Sequence, residues 1–315
     1  MLNDAGAPGP PRTPDPPRTY RALTERATER FERLKRVRDA MPQRRKAAID
    51  GVAHALADSM DPAIPPRHLL YLDLDGPEPL AAVAVGDLDA ATHVTWQLSG
   101  SGIRVRTTMW GTAREAGQLL LEQRAVGAPN PAVVAWLGYS SPGLLRAVSN
   151  RAARTAVERL THDLLTFARL RPDRPFTAME AHSYGATLAA HALEKLRGET
   201  SAPVVSALAT TGSAGMPRRI AGNPGLLGIP EGHIFEAVAA DDLLARAGRL
   251  LSGRTLVGRR FAVDGRPALG LSPVTGHNTS RFVPGATPGA RGYRDPGTLS
   301  LRNLALVTTG FHPLD

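Results

Sequence analysis

Residues 177–196, TAMEAHSYGATLAAHALEKL, constrain the fold more than any other part of the sequence. A short apolar run reaches Ala-His-Ser-Tyr-Gly, and a helical pattern begins at once. A strand that passes directly into a helix is typical of a parallel sheet with helical crossovers. The segment therefore predicts an α/β fold in which Ser183 occupies a corner at the carboxyl end of a strand.

The rest of the chain fits this architecture. Apolar runs at 68–76 and 80–88, joined by a Pro-containing turn, predict an antiparallel hairpin. Further strands are predicted at 93–102, 131–139, 202–215 and 232–242. Helices are predicted at 110–125, 144–171, 243–251 and 297–310. We therefore expect a mostly parallel sheet with an antiparallel N-terminal hairpin and helices on both faces.

Composition divides the chain into three parts. Residues 1–17 contain six prolines and are predicted to be a disordered lead. Residues 18–60 are rich in arginine with interleaved glutamate, which predicts a basic amphipathic helical segment. Residues 61–315 form the predicted α/β domain, and the Arg-, Gly- and Pro-rich part at 246–294 is interpreted as a lid or loop region.

The excess of positive charge has two interpretations. Lys and Arg exceed Asp and Glu by nine, and the pI is near 10.6. Such a balance can indicate a polyanion-binding surface, but arginine dominates in an Ala-, Gly- and Pro-rich chain, as GC-rich coding also produces. Because Glu and Arg partners are interleaved at i, i+3 and i+4, we favour a solvated helix face over a polyanion-binding arm. The aromatic content of only 5% disfavours a nucleic-acid enzyme. A protein partner on the basic helix is a further hypothesis.

Several classes of protein are disfavoured by what the sequence lacks. It has no cysteine, which removes disulfides, thiolate zinc sites and a cysteine nucleophile. No acidic metal cluster, Walker loop or dinucleotide fingerprint occurs, so we expect neither a metal nor a cofactor. No apolar run has the roughly 18 residues of a membrane span, and the N-terminus lacks the order of a secretory signal. We therefore predict a cytoplasmic protein.

The corner at Ser183 matches a nucleophile elbow. Ser-x-Gly occurs at Ser141, Ser183 and Ser213, but only Ser183 follows a strand, precedes a helix and has a small residue, Ala181, two positions earlier. The Tyr184 amide would then begin a helix and contribute to an oxyanion hole. The alternative interpretation is that Ser183 only caps the helix.

A second oxyanion donor is expected after the third strand. Gly100, Ser101 and Gly102 follow that strand and allow close approach of backbone N–H groups to a substrate carbonyl. An ordinary glycine-rich strand exit is the alternative.

With these residues in place, the chain resembles an actinobacterial α/β-hydrolase family long classed as a domain of unknown function. AHSYGA is similar to the family's Gly-His-Ser-Tyr-Gly elbow, and VAWLGYSSP to its Trp-Leu-Gly-Tyr strand end. Further similar segments are AVAVGDLDAATHV, SGSG, TTGSAG and GYRDPGTLSLRNLA. The resemblance implies an α/β-hydrolase fold with a serine-hydrolase site.

The acid of a catalytic triad is expected at Asp241 or Asp242. Triad residues in this fold follow the order serine, acid, histidine, and both aspartates end a predicted strand. Asp241 lies where the resembling family has its Asp-Pro-Ile acid, so we prefer it. The alternative is that one or both cap the next helix, and we expect that at least one does.

The base is harder to assign. The family has a Gly-His pair shortly before its final Gly-Tyr, where this chain has Ala290 or Arg291. The chain order then leaves His277 and His312, of which we prefer His277, in a loop late enough to reach the sheet edge. A surface histidine without a role is the alternative. His182 is expected to face away from Ser183, and His93 to line the pocket.

Two functions follow. The first is a serine hydrolase that cleaves a small-molecule ester, thioester or amide through an acyl-enzyme on Ser183, with His277 and Asp241. The second is a catalytically degenerate α/β-hydrolase fold that binds a ligand or protein, favoured by the missing Gly-His pair.

Overall fold

The computed structural model describes residues 17–57, 61–139, 150–282 and 288–315, with side chains from residue 154 onward in the third range. The strands are β1 (Arg67–Asp73), β2 (Leu80–Val85), β3 (His93–Leu98), β4 (Pro131–Leu137), β5 (Phe176–His182), β6 (Ala207–Thr211), β7 (Ile234–Ala237) and β8 (Arg259–Arg260). The helices are α1 (Tyr20–Arg36), α2 (Gln43–Leu56), α3 (Val105–Ala125), α4 (Asn150–Leu170), α5 (Tyr184–Glu199), α6 (Arg218–Gly222), α7 (Leu243–Ser252) and α8 (Leu299–Val307).

All eight strands form one sheet in the order β1-β2-β4-β3-β5-β6-β7-β8. Strand β2 pairs antiparallel with β1 and β4, and the remaining neighbours are parallel. This confirms the predicted fold class, including the N-terminal hairpin. The carboxyl ends of β3, β5, β6 and β7 therefore meet at one edge of the sheet, where ligands of such folds bind.

Several element boundaries differ from the predictions. The segment predicted as helical over 18–60 is two helices, because Pro42 lacks an N–H and instead precedes the first turn of α2. The strands predicted at 202–215 and 232–242 are shorter, because regular pairing is confined to Ala207–Thr211 and Ile234–Ala237. The start of the helix predicted at 144–171, and residues 1–16 of the proline-rich lead, lie outside the described residues.

Helices cover both faces of the sheet. Large buried side chains from α4 and α5, such as Phe167 and Leu193, pack with Trp96 and Trp136 on one face. On the other face, α2, α3 and α8 pack on residues such as Val133. Strand residues therefore alternate between two apolar layers, as expected for a sheet buried on both sides.

The basic helix α1 is docked on the domain. Tyr20 and Phe31 are buried, and each belongs to the apolar layer of a different face. The carboxylate of Asp89 accepts from the backbone N–H groups of Tyr20 (2.7 Å) and Arg21 (2.8 Å), which satisfies the helix N-terminus. The charged residues of this segment thus lie on the outer face of a packed helix. No helix among the described residues is long and apolar enough to cross a membrane.

A buried acid on β7 makes stability depend on pH. Glu236 is 4% exposed, its Oε2 accepts from Val257 N (2.8 Å), and burial raises its pKa to about 7. The unfolded chain ionises this group near its ordinary value of 4.5, so the folded state holds the proton more tightly. Burial of Glu236 therefore lowers the free energy of unfolding fully above about pH 7, and this loss vanishes below about pH 4.5.

We predict that Glu236→Gln raises the free energy of unfolding at about pH 8 by up to about 3 kcal/mol, and by much less near pH 5. The amide oxygen can still accept from Val257, so the change removes charge more than structure. Urea unfolding at both pH values measures it, with exposed Glu231→Gln as the control. An equal effect at the two pH values would contradict the assignment.

Candidate active site

Ser183 occupies a strained corner between β5 and α5. Its backbone angles are φ 53° and ψ −121°, in a region that residues with a Cβ rarely adopt. The backbone N–H of Ser183 donates to Thr211 O (2.9 Å), which ties the corner to the end of β6. The side chain makes no capping hydrogen bond, although Ser183 stands at the N-cap position of α5. Capping therefore does not explain this serine.

Small residues allow the chain to close around the corner. A Cβ added to Gly185 would lie 2.8 Å from Ser99 O, and one added to Gly100 would lie 3.0 Å from Ser183 Cβ. The first distance is too short for any Cβ, so position 185 requires glycine, and the second is tight enough that a Cβ at position 100 would press on Ser183. Ala181, two positions before the serine, is fully buried, so only a small side chain fits there.

His277 lies next to the serine. Its Nε2 is 2.9 Å from Ser183 Oγ, within hydrogen-bond distance. Its Nδ1 lies 2.9 and 3.0 Å from the two carboxylate oxygens of Asp242. A hydroxyl, an imidazole and a carboxylate are thus connected in the order that a serine nucleophile requires.

The carboxylate behind the imidazole is Asp242, and the prediction that Asp241 contacts the histidine is wrong. Asp242 is fully buried, and its carboxylate also accepts from Tyr293 Oη (2.9 Å) and from Ala245 N (2.9 Å). It caps α7 and orients His277 at the same time. Asp241 is exposed and accepts from the Gly276 backbone N–H (2.9 Å), which holds the loop that carries the histidine.

The Gly-His pair that the resemblance led us to expect at 290–291 is absent there, and the histidine beside Ser183 is that of Gly276-His277 instead. The chain leaves the site after Thr279 and returns at Gly292, whose Cβ would lie 2.3 Å from Thr279 carbonyl carbon. Tyr293 N donates to Asn278 O (3.1 Å), so the two ends of the intervening segment are held together. Thr279 and Gly292 are thus adjacent in space, although residues 280–291 separate them in sequence. Arg291 instead donates to Pro296 O (3.0 Å).

The predicted oxyanion loop approaches the serine at one residue. Gly100 is the member of the loop that packs against Ser183. Tyr139 Oη donates to Ser99 O (2.5 Å) and lies 3.1 Å from Gly100 O, so the carbonyls of this turn are anchored. Gly102 has φ +84°, a backbone conformation that favours glycine in a turn. The Tyr184 amide lies in the first turn of α5, where helix geometry provides no intrahelical acceptor.

Comparison with known proteins agrees with the fold. The model of the family described as "Alpha/beta hydrolase" matches residues 75–252, more than half of the chain. The chain belongs to the α/β hydrolase family. An uncharacterized protein of Mycobacterium tuberculosis is 34% identical over 205 residues, covering 61% of this chain and 72% of the relative. One from Mycobacterium bovis gives the same values, so these relatives are actinobacterial, as the resemblance predicted.

Solved structures similar to this α/β hydrolase include a dienelactone hydrolase from Anabaena variabilis, with a TM-score of 0.41 and 16% identity, covering 62% of this chain and 84% of that one. An esterase from Rhizomucor miehei has a TM-score of 0.42 and 14% identity, covering 76% and 86%. The family assignment rests on the family model and the mycobacterial relatives.

Two residues of the candidate site were not assigned from the sequence. The ring of His182 packs on that of His277, with centroids 4.8 Å apart, so the expectation that His182 faces away is wrong. Burial, and then the neighbouring His277, hold its pKa well below the ordinary value, so it adds no charge beside the base. Tyr293, which contacts both His182 and Asp242, lies in the final Gly-Tyr segment, and this was its sequence signal.

The other histidines considered lie elsewhere in the hydrolase. His93 is the first residue of β3, at the opposite edge of the sheet from Ser183, so the expectation that it lines the pocket is wrong. His312 is near the Arg259 guanidinium (3.3 Å). Within the part of the chain that the structure describes, no group of three or more His, Asp or Glu side chains is arranged to hold a metal ion.

A buried cluster of ion pairs contacts the loop that carries His277. Arg294 is 1% exposed and pairs with Glu180 of β5 (2.6 Å) and Glu115 of α3 (2.9 Å). Thr279 Oγ1 donates to Glu115 (2.9 Å), and Arg294 N to Thr279 O (2.7 Å). Burial raises the pKa of Glu180, and Arg294 counteracts this. The cluster therefore connects the sheet, α3 and the loop of His277.

Replacing Arg294 with methionine should lower the free energy of unfolding by about 3–5 kcal/mol at pH 7, because two buried carboxylates lose their counter-ion. The loss should shrink near pH 5, where Glu180 accepts a proton more readily. Urea unfolding measures both values, with exposed Arg33→Met as the control. A loss below about 1 kcal/mol would show that the cluster is not a structural support.

Proposed function

We propose that this α/β hydrolase is a serine hydrolase that cleaves small-molecule esters, with thioesters or amides as related substrates, through an acyl-enzyme. The observation that carries the proposal is the 2.9 Å contact between Ser183 Oγ and His277 Nε2, with Asp242 behind the imidazole. The strained backbone of Ser183 is a second support, because such strain is typical of nucleophile elbows.

In the proposed reaction, Ser183 Oγ attacks the substrate carbonyl carbon while His277 Nε2 accepts the hydroxyl proton. Asp242 holds Nδ1–H and stabilises the imidazolium. The resulting oxyanion would be held by the Tyr184 amide and by a backbone N–H of the loop at Gly100. His277 then protonates the leaving group as its bond to the carbonyl carbon breaks. Water, deprotonated by His277, then attacks the carbonyl carbon of the acyl-enzyme. The bond from that carbon to Ser183 Oγ breaks, His277 returns the proton to Oγ, and the acid is released.

The binding-module alternative loses its main support. It rested on the absence of a histidine at 290–291, whereas His277 Nε2 lies 2.9 Å from Ser183 Oγ. The position of His182 also favours catalysis, since a buried neutral ring beside His277 provides a water-poor surface for the base.

The direct test is turnover of p-nitrophenyl esters of increasing acyl length. An acyl-enzyme mechanism predicts a rapid release of p-nitrophenolate, equal in amount to the protein, followed by a slower steady state when deacylation is limiting. Catalysis by Ser183 is supported if both phases disappear after fluorophosphonate treatment. No hydrolysis of any ester, thioester or amide tested would contradict the proposal.

A further inference from the structure

A cavity of about 440 Å³ lies between β7, β8 and α7. It is lined by the end of β7 and the residues that follow it, by one face of α7, and by residues 260–264. Neither Ser183, Asp242 nor His277 lines it. It is therefore separate from the candidate active site, although α7, which forms one wall, begins next to Asp242.

Three arginines line this cavity: Arg246, Arg249 and Arg260. In Arg249, Nε and Nη2 are both buried and have no hydrogen-bond partner. A charged donor withdrawn from water without an acceptor is unfavourable, so such a group calls for a partner, which can be an ordered water or a bound anion. Arg246 donates to Ala240 O (3.0 Å), a neutral acceptor that leaves its charge uncompensated.

The carboxylates that line the cavity do not balance these charges. Asp264 is exposed, and Glu236 is buried with its Oε2 already engaged by Val257 N. Neither forms an ion pair with the three arginines within the described residues. Arg260 and Arg249 are close enough to Glu236 to lower its pKa, but three guanidinium groups face two carboxylates, so an excess of positive charge remains. Several guanidinium donors thus line one cavity.

We propose that this cavity is an anion-binding site that takes a phosphate group, with Arg249 as its central donor and Arg246 and Arg260 at its rim. Guanidinium groups match the geometry of phosphate oxygens, and the buried nitrogens of Arg249 would gain the acceptors they lack. The proposal goes beyond the hydrolase function, because the site lies outside the candidate catalytic residues and would bind its ligand without chemistry.

The phosphate could belong to a free ion or small molecule, or to the headgroup of an anionic lipid. The outer face of α7 bears on this choice. Leu243, Leu250 and Leu251 are 71%, 85% and 87% exposed, and spacing places them on one side of the helix. Arginines toward a cavity and leucines outward are typical of a helix that lies in a membrane interface. The experiment therefore has one arm for each source.

The first arm titrates inorganic phosphate into the full-length protein by calorimetry. The second measures co-sedimentation with phosphatidylcholine vesicles containing phosphatidylglycerol. Arg249→Gln is compared in both arms with Arg33→Gln, an exposed arginine on α1 that changes the net charge equally. We expect Arg249→Gln to weaken binding about tenfold or more and Arg33→Gln to leave it nearly unchanged.

Phosphate binding that depends on Arg249 supports the site with a free ligand, and vesicle binding that depends on Arg249 without phosphate binding supports it with a lipid. Binding in neither arm, or equal weakening in the two variants, would overturn it. A urea unfolding curve of Arg249→Gln checks that the variant is folded. If that variant fails to fold, Arg260→Gln, which is exposed, provides the same comparison. Ser183→Ala should bind phosphate normally, which separates this site from the catalytic proposal.

Discussion

Ser183→Ala should lower kcat for ester hydrolysis by about 10³- to 10⁶-fold, because the attacking oxygen is lost while the remaining contacts persist. Alanine retains the Cβ, so it can occupy the same strained backbone without a new clash. The expected fold is therefore that of the native protein. Initial rates on the best p-nitrophenyl ester, together with a urea unfolding curve, measure both points.

Ser206→Ala is the matched control for this loss. Ser206 precedes β6 at the opposite edge of the sheet from Ser183, so its removal should change kcat less than about twofold. Retention of more than a tenth of the activity in Ser183→Ala would mean that another group carries the reaction.

Asp242→Asn should lower kcat by about 10³- to 10⁴-fold, and Asp241→Asn by less than about tenfold. The amide of asparagine would place an N–H toward His277 Nδ1, which favours the tautomer that cannot accept the proton of Ser183. Asparagine at position 241 can still accept from Gly276 N, so the histidine loop should stay in place. Steady-state kinetics of both variants, with the same ester, separate the two aspartates.

The two aspartate variants also serve as controls for each other, since they are adjacent and change the charge equally. Unfolding midpoints should be compared, because Asp242 also caps α7 through Ala245 N. A larger kinetic loss in Asp241→Asn than in Asp242→Asn would overturn the assignment of the acid.

The nucleophile candidate was predictable because its signal is local. Small residues around Ser183, an apolar run before it and a helical pattern after it are all consecutive in sequence. The mostly parallel sheet with its antiparallel N-terminal hairpin also followed from local patterns, since strands that alternate with helices favour parallel pairing. The order of the strands in the sheet was not predicted. The sequence could not show that Gly100 lies close to Ser183 Cβ, because the two residues follow different strands of the sheet.

The histidine and the acid were harder for different reasons. Gly276-His277 and Tyr293 are far apart in sequence. An alignment without a gap cannot detect that they are adjacent in space, where Tyr293 N donates to Asn278 O. For the acid, Asp241 and Asp242 are neighbours, and sequence cannot show which carboxylate turns inward at the start of α7. Burial decides this, because the inward carboxylate is the one with four hydrogen-bonding contacts.

Covalent labelling with a fluorophosphonate, followed by peptide mass analysis, would show directly whether Ser183 is an activated nucleophile. An activated serine displaces fluoride from the probe, whereas an ordinary surface serine does not react at a comparable rate. We expect one label per chain, on the peptide that contains Ser183. Labelling should be much slower in His277→Gln, because the serine would lose its base. An unlabelled native protein, or a label on a different serine, would contradict it.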